Sequence, residues 1–177
     1  DKNMAFAGYV KGNFEDEVIM TISEDYFGGM IEDGEEEYYI EPFYRFEPGA
    51  SRNLFVVYKA SDVYPFEGTC AAHEVSVKTK QFEEHIDEKV KENNSSESVA
   101  CYEMDYAIAG DNSMIIAHGT VGAVIGHTTN ITLLSQTNYD DEFNHEISFV
   151  IVTHFVSSNE PWGTSSNAGT YLGLFRA

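Results

Sequence analysis

The chain has 177 residues, of which 42% are hydrophobic and 14% aromatic, so it can bury a core and is too apolar for a disordered segment. Its formal charge of −20, from 10 Lys and Arg against 30 Asp and Glu, excludes nucleic-acid and anionic-membrane partners, because so few cations cannot neutralise a phosphate surface. No apolar run, Ile147 to Val152 included, approaches the roughly 20 residues of a membrane-spanning helix. The chain opens at Asp1 without a methionine or a charged-then-apolar leader, which reads as loss of an N-terminal portion and fits a secreted or extracellular protein.

From Ala5 to Tyr64 the pattern predicts short antiparallel strands, FAGYVKG, EVIMTIS, GGMIEDG, EEYYIEPF and LFVVYKA, with turns at Gly12, Gly28, Gly29, Gly34 and Pro48-Gly49. Along the second of these, Val18, Met20 and Ile22 share one face and Ile19, Thr21 and Ser23 the other. Gln81 to Ser98 is charged and ends in Asn and Ser; Phe82, Ile86 and Val90 allow a short helix that gives way to an exposed linker, which places a domain boundary near residues 91 to 100.

Beyond the linker the rhythm becomes strand, helix, strand, helix. Tyr102 to Ala109 is a predicted strand, and a helix follows from about Ser113 through Asn138, interrupted near Gly119 or Gly122. Val121, Val124, Ile125, Thr128, Ile131, Leu134 and Thr137 recur at three and four as its core stripe. His145 to Val156 is a second strand, apolar enough to be buried on both sides at its centre. The fold class is therefore α+β: a small antiparallel β-rich region over residues 1–90, a linker to about 100, and a β-α-β-α segment over 101–177.

These segments resemble the reprolysin or adamalysin type of secreted zinc metalloprotease, a metzincin, with its prodomain attached. The prodomain resemblance lies in GYVKGNFEDEVIMTISEDYFGGMIEDGEEEYYIEP, with Tyr38 to Pro42 as a Tyr-x-Ile-Glu-Pro element, and in Val57 to Val63 as a closing Val-Tyr-x-x-x-Asp-Val. The catalytic-domain resemblance lies in CYEMDYAIAGDNSMIIAHGT, with its strand ending at Asp111, in QTNYDDEFNHEISFVIV and in LGLFRA. It implies an N-terminal part of a protease zymogen, a prodomain that assists folding and covers the cleft, and a zinc-activated water in the complete parent protein. The HExxH helix that would bind that zinc is not among these 177 residues, so the chain by itself is expected to be inactive, with no catalytic residue and no metal site of its own.

The resemblance also offers site residues. Cys70 is a cysteine-switch candidate that would hold a zymogen latent by placing its thiolate on zinc, although Ala71 follows it where the family's switch has glycine. Asp105, six before Asp111, is a calcium candidate, with a solvated strand carboxylate the plainer reading.

Other readings rest on the residues alone. Cys70 and Cys101 could instead form one disulfide or remain two thiols. Asn93, Asn94 and Asn130 head glycosylation sequons that are also expected by chance. His73-Glu74 fails as a zinc signature because position 77 is valine. The remaining histidines, at 85, 118, 127, 145 and 154, read as structural or surface residues; His118 and His127, nine apart, would fall on opposite faces of one helix. Asp140-Asp141-Glu142 is expected at a helix-to-strand turn, and Trp162 in a polar loop. The expected partners are the remaining catalytic half of the same protein or other copies of this chain. The rival function is a non-catalytic extracellular subunit that self-assembles into a scaffold or filament through its sheet edges.

Overall fold

A computed structural model describes residues 4–64 and 102–159. The first stretch folds as a five-stranded antiparallel meander in the order β1 (Met4–Val10), β2 (Asn13–Ile22), β3 (Phe27–Glu32), β4 (Glu37–Pro42) and β5 (Phe55–Lys59). Two turns need glycine: Gly12 at φ +95° between β1 and β2, and Gly34 at φ +79° between β3 and β4. In the second turn Asp33 Oδ1 accepts from the backbone N–H groups of Glu35 and Glu36, which closes the loop locally. A 3-10 turn at Phe43–Arg45 and the Pro48-Gly49 bend carry the chain from β4 to β5.

The second stretch is a strand–helix–strand unit: β6 (Tyr102–Gly110), α1 (Asn112–His118), α2 (Val121–Phe143) and β7 (Ile147–Val156), with β6 and β7 paired in parallel. Asp111 caps α1 by accepting from Ser113 N at 3.0 Å and Met114 N at 3.2 Å. Gly119, in the left-handed region at φ +85°, ends α1, and Thr120 starts α2 by accepting from Ala123 N at 3.0 Å. The expected interruption thus falls at Gly119, and α2 runs five residues past Asn138, to Phe143. Asp140 to Glu142 form its last turn and not the connection to β7.

The architecture is α+β, with α2 lying between the antiparallel sheet, at β1, β2 and β3, and strand β7. On β2 the buried face is that of Ile19 and Thr21, joined by Tyr26 and Met30, while Ile22 is exposed. Gly122 and Gly126 let α2 come close to the β2–β3 turn: a Cβ at Gly126 would lie 2.7 Å from Tyr26 Cγ.

The core stripe expected on α2 is only partly buried. Val124 is fully enclosed, but Val121 and Ile131 are exposed, and the positions that close against the sheet are Ala123, Gly126, His127 and Asn130. A helix flanked by two sheets buries small residues on one side and larger ones on the other, so a single large-apolar stripe does not describe it. Several of its hydroxyls bond back along the helix, Thr128 Oγ1 to Val124 O at 3.0 Å and Thr132 Oγ1 to Thr128 O at 3.0 Å, whereas the buried Thr129 Oγ1 has no partner among the described residues.

Gln136 ties α2 to β7. Its Nε2 donates to Ile147 O at 2.7 Å and its Oε1 accepts from Phe149 N at 2.6 Å, so the side-chain amide stands where a neighbouring strand would pair. Beneath it Tyr106, Tyr139 and Phe149 pack as aromatic pairs with centroids 4.7 and 4.9 Å apart. The opposite face of β7 carries Val150, Val152 and Phe155 exposed, which corrects the expectation of two-sided burial: among the described residues a helix covers only one face. No helix among these residues is long and apolar enough to cross a membrane.

Candidate functional site

The break at Gly119 sets the geometry of an unusual cluster of histidines, tyrosines and arginines. His118 ends α1 and His127 lies two turns into α2, and the reversal between the helices stacks their rings with centroids 4.3 Å apart and planes 28° from parallel. The expectation that they sit on opposite faces assumed one continuous helix, which Gly119 prevents. Tyr44 meets His118 edge-on at 6.3 Å, and Tyr26 meets His127 at 6.1 Å.

Arg52 locks the cluster to the sheet side. Its Nη2 donates to His118 O at 2.7 Å while its guanidinium lies 4.9 Å from the Tyr44 ring centroid. Arg45, paired with Glu41, stands on the same side. Both arginines, both histidines and Tyr44 line a cavity of about 580 Å³ whose outer wall includes Pro48, Met114 and Ile116.

Burial, reinforced by Arg45 and Arg52, holds the His118 pKa down to about 4. Burial, then Arg45 and His118, brings His127 down to about 3. Both imidazoles are therefore neutral at pH 7, each able to donate from one nitrogen and accept at the other. The Nδ1 atoms of both are buried and without a hydrogen-bond partner among the described residues. Burial likewise raises the Tyr26 and Tyr44 phenols above their ordinary range.

The chain matches no family model and no curated protein.

The residues singled out from the sequence fall in different places. Asp105 is exposed on β6 opposite Val150, and among the described residues no three His, Cys, Asp or Glu side chains gather around it or anywhere else. Asn130 is only 4% exposed and packs toward Tyr26 within the sheet–helix seam, a position with no room for a glycan in the folded state. His145 is exposed and 3.4 Å from Asp140; His154 is half-buried on β7, its pKa lowered by burial. Cys70, Cys101, His73, Glu74, His85, Asn93, Asn94 and Trp162 lie outside the described residues.

Sequence reasoning passed over Arg45, Arg52, Tyr26 and Tyr44. One signal was available: two arginines within eight positions stand out in a chain with 10 basic residues, and they flank the Pro48-Gly49 turn.

A resident zinc does not fit this cluster. Only two imidazoles are present, and two guanidiniums stand beside them where a dication would require anionic or further neutral ligands. No hydrolytic step is assigned to these residues.

Proposed function

We propose that the chain is the prodomain and N-terminal catalytic portion of a secreted reprolysin-like zinc metalloprotease zymogen, inactive by itself. One packing arrangement supports this reading: an antiparallel sheet laid across the helix of a parallel strand–helix–strand unit, as a covering element would lie. In this reading β1–β5 hold α2 in place during folding, and the side chains that bind zinc and activate water belong to sequence other than these 177 residues. The partner is then the remaining catalytic half.

The coding sequence is the direct test. An in-frame HExxHxxGxxH downstream of the Ala177 codon is the expected result, and a stop codon immediately after it would sink the proposal. A complementary measurement adds residues 1–64 to a catalytic region prepared without them, with inhibition expected.

A second reading, a non-catalytic extracellular subunit that self-assembles, is favoured by the exposed Val150, Val152 and Phe155 on β7 and by the outer edges of β1 and β5, which pair with no strand among the described residues. Sedimentation over a concentration series separates the two, since only the scaffold should grow into higher assemblies.

A further inference from the structure

The cavity beside the His118–His127 pair brings two arginines together in a strongly acidic chain. Arg45 and Arg52 both line it, in a protein with 10 Lys and Arg against 30 Asp and Glu, and among the described residues no carboxylate does. His118 and His127 are only 3% and 6% exposed, and the Nδ1 of each is enclosed without a partner among the described residues. The arginines, not the enclosed Nδ1 atoms, are what the cavity offers a ligand, and they ask for an oxygen-rich anion.

The ligand class follows from the walls. Arg52 is oriented by His118 O and by the Tyr44 ring, yet a guanidinium carries five N–H donors and that carbonyl takes only one. An oriented guanidinium matches a planar carboxylate through two parallel N–H bonds. Met114 and Ile116 on the outer wall offer apolar surface to whatever carries the carboxylate, and about 580 Å³ is within the range of small-molecule sites. A cation is disfavoured by the two arginines, and an uncharged ligand would leave the charge of Arg52 unanswered, since Glu41 pairs with Arg45 alone.

We infer that this cavity binds an organic carboxylate, its head group on Arg52 close to the His118 and His127 rings, with Arg45, itself paired with Glu41, alongside, and its apolar body against Met114 and Ile116. The site is independent of the protease reading, because it needs no zinc and no residue outside the described ones.

The test uses the full 177-residue chain and butanoate as the probe, followed by the NMR signals of the His118 and His127 rings and by calorimetry. Saturable one-to-one binding that perturbs both rings is expected, with butan-1-ol and butylammonium producing neither effect. Ile116 is 75% exposed, so charge can be placed there without disturbing the core. Both substitutions remove the same apolar contact, so their difference isolates charge: Ile116→Lys should bind butanoate about tenfold more tightly than Ile116→Glu, with the gap shrinking in high salt. The inference is overturned if butanoate leaves both rings unperturbed, if the two variants bind it alike, or if butan-1-ol binds equally well. Inorganic phosphate matching butanoate would overturn the assignment to carboxylates.

Discussion

Acidification should loosen the seam between the antiparallel sheet and α2, and the two stacked histidines set the size of the effect. In the folded protein His118 has its pKa lowered from 6.5 to about 4 and His127 to about 3. A depressed pKa means that the unfolded chain binds protons first, so the stability contributed by the neutral rings is complete above about pH 6.5 and is lost as pH falls toward 4. Between pH 7 and pH 4 each ring then costs about 3 kcal/mol; because His118 supplies part of the His127 shift, a joint figure of about 5 kcal/mol is the better measure. That is comparable with the whole stability of a small domain. His127→Leu isolates the effect: it removes one titrating ring and one unpaired buried nitrogen, so stability at pH 7 should hold or rise while the acid loss shrinks by about 2 kcal/mol, from about 5 to about 3, that of His118 alone. Urea unfolding of both proteins at pH 7, 6, 5 and 4 measures this, and carboxylate titration common to the two cancels in the comparison. Parallel stability profiles for the two proteins, or an NMR titration placing either ring near 6.5, would refute the reasoning.

Three substitutions probe the packing. Gly126→Ala places a Cβ 2.7 Å from Tyr26 Cγ and should cost about 1–3 kcal/mol in thermal unfolding, despite alanine's higher helix propensity. Gly122→Ala at the neighbouring step meets only the side chain of exposed Asp25, which can swing away, so its melting temperature should stay within a few degrees of the parent's. Gln136→Leu removes the partner of Phe149 N–H and Ile147 C=O; a loss of about 1–3 kcal/mol is expected, with faster hydrogen exchange at the Phe149 amide. Unchanged exchange there would show that the amide does not guard the β7 edge.

Much of the secondary structure was legible in the sequence because it depends on neighbours a few residues apart. Alternation marked β2, glycine marked the turns around Gly12 and Gly34, though Gly28 and Gly29, also expected at a turn, lie inside β3, and the change from period two to longer spacing announced the unit from β6 to β7. The interruption near Gly119 was also visible. Its consequence was not, since a left-handed glycine says that a helix ends and nothing about what the next helix brings back beside it.

Tertiary structure decided what each face meets. Periodicity places Ile19 with Thr21 and Val18 with Met20, but only the approach of α2 makes the first pair the inner one. Val121 and Ile131 satisfy a helical core pattern and are exposed, whereas Gly126 and Asn130 are buried, because close passage beside Tyr26 leaves space only for small or flat side chains. The site depends on distance along the chain in the same way. Arg52 bonds a carbonyl 66 residues away, and His118 meets His127 only because the backbone reverses between them. Local spacing determined the elements of this α+β chain; the assembly of Arg45, Arg52, His118 and His127 around one cavity came from long-range packing, which no window of sequence encodes.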